Sequence, residues 1–203
     1  MQTLQRWSKR LVAVILLFVV LAGGYYWLWR DNVHIVIPGE FIRTAQLEPE
    51  QLSQVIKKYQ IKSVINLRGK AAGEAWYDDE RAAVEKQGAE HFDIRLQAHA
   101  MPTPQQLRKL VGMLQTAPRP VLIHCKGGAD RTGLASALAL VLNGDSFQRA
   151  NQQVSWRFFA FSSDSVGRLV MPYYQCYLQK NQQKSSPKTL LEWVREPEPY
   201  RCG

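Results

Sequence analysis

Cysteine is scarce in this 203-residue chain: there are three, Cys125, Cys176 and Cys202, beside four histidines. No second His/Cys pair stands at ligand spacing, which argues against a zinc site and leaves no metal to expect. No internal repeat and no low-complexity tract is present. The length is too short for two ordinary domains and long enough for one compact domain with a short appendage. No clustered basic motif of the kind that reads nucleic acid is present either, although Lys+Arg number 26 against 17 Asp+Glu. Four of those basic residues (Arg6, Lys9, Arg10 and Arg30) flank the first apolar run, leaving 22 against 17. Such an excess suits an anionic substrate or a membrane surface.

Charge is missing altogether from LVAVILLFVVLAGGYYWLW, Leu11 to Trp29. As a helix it is long enough to cross a hydrocarbon core of about 30 Å. Arg6, Lys9 and Arg10 precede it, while Arg30 and Asp31 cancel after it. The positive-inside rule therefore keeps the amino terminus in the cytoplasm and the rest outside, in the periplasm of a bacterium. Tyr25, Tyr26, Trp27 and Trp29 form an aromatic cluster suited to the bilayer boundary. The rival is a cleaved signal peptide, with small residues at Ala22-Gly23-Gly24 but no clean A-x-A site. The expected organisation is a membrane anchor (or signal peptide) over residues 1–30 and one folded domain over 31–203.

Within that domain, VHIVIPGEFIRTAQL reads as two extended runs around the Pro38-Gly39 turn. PEQLSQVIKKY has the apolar spacing of a helix, and KSVINL is a short strand. WYDDERAAVEKQG reads as a helix with acidic residues in its first turn and Gly88 beyond its end. EHFDIRL alternates, placing Phe92, Ile94 and Leu96 toward the core and His91, Asp93 and Arg95 toward solvent. TPQQLRKLVGMLQ has Thr103 as an N-cap and Pro104 at the first helical position. RPVLIHC is a continuous apolar strand, and a helix dense in Ala and Leu follows from Thr132 to Leu142. SFQRANQQVSWRFF, VGRLVMPYYQCYLQK and KTLLEWVREPEPY read as further helices, with Pro172 a break or kink. Strands alternating with helices predict an α/β fold: a central, mainly parallel sheet flanked by helices, preceded by one N-terminal transmembrane helix.

Ligands in such sheets sit at the carboxyl ends of the strands, and HCKGGADRTG, His124 to Gly133, occupies one of those ends. Between a strand ending at His124 and the helix beyond it, the chain must turn tightly, and Gly127 and Gly128 supply permissive backbone. A ring of N–H groups at a helix N-terminus is an anion cradle. Arg131 closes it with a fork that matches two phosphate oxygens. That field favours thiolate over thiol at Cys125, which makes it a nucleophile under a bound phosphate.

His124-Cys125, Gly128 and Arg131-Thr132-Gly133 resemble the HC-x2-G-x2-R-[ST]-G signature of the cysteine-dependent protein tyrosine and dual-specificity phosphatases. The order of VIPGEFIRTAQ, SVINLRG, the strand before the loop and the helical tail is similar to that of bacterial members. The resemblance implies a two-step hydrolysis of phosphate monoesters through a phosphocysteine, without a cofactor. Cys125 would be the nucleophile and Arg131 the phosphate ligand. Thr132 would hydrogen-bond the thiolate and help it leave, and His124 would orient the loop. Lys126, Gly127, Gly128, Ala129 and Gly133 would complete the substrate-binding surface.

The chain departs from the family in one place: the loop QAHAMPT after the preceding strand, where most members carry an aspartate general acid, has no carboxylate. Asp130, inside the cradle, is the leading replacement, because a DRT ending is similar to that of myotubularin-like phosphoinositide phosphatases. Asp93 and His99 are the alternatives. Lys126 matches lipid-directed members, whereas Ala129 replaces a second lysine found in some of them. The substrate therefore stays open between a phosphorylated protein and a phospholipid or inositol phosphate. Arg68 is a further candidate for the cleft mouth. A catalytically silent phosphate-binding module and a rhodanese-like sulfur transferase are the rival classes. In an oxidising compartment Cys176 and Cys202 are expected to pair and leave Cys125 free; in the cytoplasm all three would be thiols.

Overall fold

The computed structural model of the chain describes residues 11–12, 14–21, 23–24 and 30–202. It divides into two units, residues 1–31 and 32–203. In the first unit the described residues of 11–24 are helical, and the apolar side chains of Leu16, Leu17 and Phe18 are exposed. Among the described residues no helix is long and apolar enough to cross a membrane. The expected transmembrane run, Leu11 to Trp29, lies partly outside them.

The second unit is built on five short strands. β1 (His34–Ile37) and β2 (Phe41–Thr44) form the hairpin that Pro38-Gly39 signals, with Gly39 at φ 73°. After α1 (Pro49–Tyr59) come β3 (Ser63–Asn66), α2 (Ala75–Lys86) and β4 (Glu90–Asp93). Next are α3 (Pro104–Thr116), β5 (Val121–His124) and α4 (Asp130–Leu142), and the chain ends in α5 (Phe147–Asn151), α6 (Val166–Lys180) and α7 (Pro187–Arg195). Sheet order is β1-β2-β5-β3-β4, with β1-β2 antiparallel and the other three pairings parallel, as the alternation of strands and helices predicts.

Side-chain alternation along the strands divides the core in two. Ile42, Val64 and Leu122 face α1 and α2, packing with Leu52, Ile56 and Val84. Phe41, Ile65, Val121 and Ile123 face the larger cluster built from α3, α4, α6 and α7. Every residue of α4 from Thr132 to Val141 is buried, so its long Ala/Leu run fits a helix surrounded on all sides. Thr103 caps α3 as expected, its hydroxyl accepting from the Gln106 amide at 3.2 Å.

Two expectations are corrected. SFQRANQQVSWRFF is not one helix: α5 stops at Asn151, and single 3-10 turns follow at Gln152–Val154 and Trp156–Phe158. The carbonyls of Gln153 and Phe158 in these turns are recruited by side chains of the site, which an uninterrupted helix would not allow. Conversely, α6 runs through Pro172 unbroken. Pro172 is exposed and the helix is anchored on both sides of it by buried Val170, Met171 and Tyr174, which offsets the missing backbone donor.

Candidate active site

Thr44, His124, Asn66 and Asp93 stand opposite one another across β2, β5, β3 and β4 at the carboxyl edge of the sheet. The chain beyond this row forms the site. Cys125, the first residue past β5, is a free cysteine and only 3% exposed. The backbone N–H groups from Lys126 to Arg131 make no hydrogen bond with any described residue, and Ala129 at the N-cap of α4 has no side-chain cap. Donors left unsatisfied at a helix N-terminus are what an oxyanion requires.

The carbonyls of the same loop explain why its amides converge. Asn32, 1% exposed, donates from Nδ2 to the Gly127 carbonyl at 3.2 Å, the Gly128 carbonyl at 2.9 Å and the Phe158 carbonyl at 3.2 Å. Arg43, fully buried on β2, donates from Nη2 to the Gly128 carbonyl at 2.6 Å and the Ala129 carbonyl at 3.3 Å. Its Nη1 donates to the Gln153 carbonyl at 2.9 Å and side-chain oxygen at 2.8 Å. A trans peptide is planar, with C=O and N–H pointing opposite ways. Pinning the carbonyls of residues 127–129 on one side therefore aims the amides of residues 128–130 to the other. Burial pushes the Arg43 guanidinium down to about 9, against the pull of the Cys125 charge, so it stays cationic at neutral pH.

Gly128 is irreplaceable on two counts. Its φ is +64°, and a Cβ there would lie 2.6 Å from the Ala45 nitrogen and 2.7 Å from the Thr44 carbonyl. Gly127 is exposed and a Cβ there meets nothing, whereas one on Gly133 would lie 2.8 Å from the Gln153 carbonyl, so Gly133 keeps α4 against the 3-10 segment.

Arg131 is half-buried in the first turn of α4 and donates from Nη1 to the Leu96 carbonyl at 3.4 Å. Thr132 is fully buried and its hydroxyl has no partner, so the contact with the thiolate expected of it is not formed. His124 Nε2 lies 3.1 Å from Glu80 Oε1, which also takes His91 Nε2 at 2.8 Å. Lys126 is exposed at the loop's surface. Arg68 lies with its guanidinium carbon 3.3 Å from the centroid of the Trp76 ring, and its Nη1 donates to Gln46 Oε1 at 2.9 Å. Burial and then the neighbouring Arg131 charge lower its affinity for a proton, opposed by Glu80 and Cys125, which places Arg68 within reach of the cradle's field.

The three candidate acids separate cleanly. Asp130, half-buried at the start of α4, makes no side-chain hydrogen bond with any described residue. Asp93 accepts from Asn66 Nδ2 at 2.9 Å and from the Tyr77 hydroxyl at 2.6 Å, so it is not the solvent-facing residue that strand alternation suggests. The outer face of β4 is covered by α2, and His91 is 7% exposed there. His99 pairs with Asp164 at 3.0 Å on the surface.

Asn32, Arg43, Gln46 and Glu80 escape the sequence reading. For two of them a signal exists. Alternation places Arg43 on the same face of β2 as Phe41, a charge aimed into a core. Glu80 lies three residues after Tyr77 and four before Val84, on the buried face of α2.

A free cysteine at the end of a central strand, a loop of amides that bond to no described residue and an arginine in the first turn of the next helix, on an α/β sheet of this kind, are the arrangement of a cysteine-dependent phosphatase. Residues 22–150 match the model of the tyrosine phosphatase family, more than half the chain, and the chain belongs to that family. No curated protein matches it. Among solved structures it is similar to the core catalytic domain of the PP-IP phosphatase SIW14 from S. cerevisiae, with 21% identity and a TM-score of 0.57 over 75% of this chain and 93% of that one. It is likewise similar to TpbA of P. aeruginosa, with 21% identity and a TM-score of 0.56 over 82% and 92% of the two chains. At this identity the likeness is one of fold.

Proposed function

We propose that the protein is a membrane-tethered phosphomonoesterase of the protein-tyrosine/dual-specificity type, with Asp130 as its general acid. The observation that carries the acid assignment is the freedom of Asp130 beside two rivals whose carboxylate or imidazole is already engaged. In the first step Cys125 Sγ attacks phosphorus, the S–P bond forms and the ester P–O bond breaks. The leaving oxygen takes the Asp130 proton while Arg131 and the loop amides hold the equatorial oxygens. In the second, the Asp130 carboxylate takes a proton from water as its oxygen attacks phosphorus. The S–P bond breaks, orthophosphate leaves, and Thr132, whose buried hydroxyl has no other partner, donates to the departing thiolate.

Asp130→Asn is expected to lower kcat/KM, which reads the first step, by about 10²–10⁴-fold on phosphotyrosine or an alkyl phosphate and far less on p-nitrophenyl phosphate, whose leaving group needs no proton. Equal losses on all three would place the acid elsewhere.

The tether rests on the uncharged run Leu11 to Trp29 and the exposed apolar faces of its described residues. Cys176 and Cys202 are disulfide-bonded, their Cα atoms 6.0 Å apart, which supports an oxidising compartment and a domain outside the cytoplasm. A phosphorylated inositol or lipid headgroup is the second reading, favoured by exposed Lys126 and by Arg68, which lies within the field of Arg131 and Cys125. SIW14 is described as a PP-IP phosphatase, and TpbA has been captured in complex with phosphotyrosine. Full-length protein in liposomes, given phosphotyrosine peptides, inositol phosphates and phosphoinositide vesicles, tests both. The protein-directed reading requires kcat/KM to be highest for the peptides, and a higher value for vesicles than peptides reverses the order.

A further inference from the structure

We propose that Glu80 is a positioning residue of the phosphatase reaction, holding the ring of His124 and thereby the backbone on which Cys125 stands.

Glu80 is 2% exposed on α2, and a carboxylate taken so far out of water must be met by donors. Three converge on it. His91 Nε2 from β4 and His124 Nε2 from β5 share Oε1 at 2.8 Å and 3.1 Å, and the Gln46 amide, from the chain after β2, donates to Oε2. Burial by itself would push the carboxyl up, but His124 and then His91 outweigh it and hold it at about 2. The group is thus an anion throughout the working range of the enzyme. An ionised carboxylate only accepts, so the His124 proton facing it sits on Nε2. His124 Nδ1 is buried without a partner, so Glu80 makes the one hydrogen bond that fixes this ring among the described residues.

The same carboxylate reaches the site by a second route. The Gln46 backbone N–H donates to the Lys126 carbonyl at 3.1 Å and its side-chain oxygen accepts from Arg68. One buried anion therefore braces the residue before the nucleophile, the carbonyl after it and the guanidinium at the cleft mouth. The other ionisable groups around it are accounted for. Tyr77 on α2 is bound to Asp93, and Asp93 Oδ2 stands 3.6 Å from His91 Nδ1.

The test is a double-mutant cycle with a pH profile. Glu80→Gln should lower kcat for p-nitrophenyl phosphate by about 10- to 100-fold while KM moves less than about threefold, the signature of lost alignment. The pH profile of kcat/KM should change between wild type and Glu80→Gln, because an ionised carboxylate 3.1 Å from the His124 ring is replaced by a neutral amide. His91→Gln, which keeps a donor on Glu80 and leaves the His124 contact intact, should stay within about threefold of wild type in kcat. In a His124→Ala background, Glu80→Gln should have a clearly smaller effect on kcat than in wild type, because only the route through Gln46 is left to lose. An equal loss in both backgrounds, or a Tm decrease with an unchanged profile, overturns the proposal. Should Glu80→Gln fail to fold, Glu80→Asp in the same cycle, together with ring ¹⁵N shifts of His124 in the wild-type protein, decides it: a proton on Nδ1 alone would refute it.

Discussion

Cys125→Ser should lower turnover of any phosphate monoester by about 10⁴-fold or more, with binding of the same ester held within about threefold. A serine hydroxyl is a weak nucleophile where no adjacent base is placed to activate it. The cradle, by contrast, is made of backbone donors and Arg131, none of which the substitution touches. Single-turnover trapping with a radiolabelled ester reads the same point chemically, since the label should be carried on Cys125 of the wild-type protein and be absent from the variant. A silent binding module would show no label in either, and a sulfur transferase would carry sulfur in place of phosphorus. Turnover within tenfold of wild type would mean that another group attacks.

Arg43→Met should be the most damaging change outside the loop itself. Two effects compete. Removing a guanidinium that burial already disfavours relieves a desolvation cost, and methionine fills similar space. Against that, three backbone carbonyls and the Gln153 side chain lose a charged donor, in a place where water cannot replace it. Charge-assisted hydrogen bonds contribute about 1.5–3 kcal/mol each and do not add fully, so the loss wins, at about 3–4 kcal/mol net. For a chain of this size that lowers Tm by about 10 °C. Once the carbonyls are free to rotate, the amides on the other side of each peptide lose their aim, and kcat should fall by about 10²-fold or more even at temperatures where the variant is fully folded. Calorimetry and kinetics on the same preparation check both. A variant as stable and as active as wild type would show that the loop holds its shape without Arg43.

The parts of this molecule legible in the sequence are those written in consecutive residues. Strand and helix periods gave the sheet, and the Cys125-to-Arg131 spacing placed a cysteine and an arginine at the junction of an apolar strand and a helix, where the structure has them. Thr103 and Pro104 announced the start of α3. What could not be read is whatever depends on residues far apart. Asn32 meets Gly128 across 96 positions, and Arg43 meets Gln153 across 110. Asn32 is an ordinary turn residue until the fold brings it under the loop, and alternation marks Arg43 as a charge facing the core without saying what it meets there. Asp93 failed for a related reason: alternation identifies two faces of β4 but not that α2 covers the second. The acidic run Asp78-Asp79-Glu80 looked like charges favouring a helix start, yet its third member points into the sheet and answers two histidines.

The bond between Cys176 and Cys202 has a consequence for damage and repair. With those two sulfurs joined, Cys125 is the chain's remaining thiol. A sulfenic acid formed on it has no resolving cysteine in the same molecule with which to condense. Recovery must then come from a small thiol or a reductase supplied from outside, and without one the next oxidation step is irreversible. The enzyme's working lifetime is thereby set by the reducing supply of its surroundings.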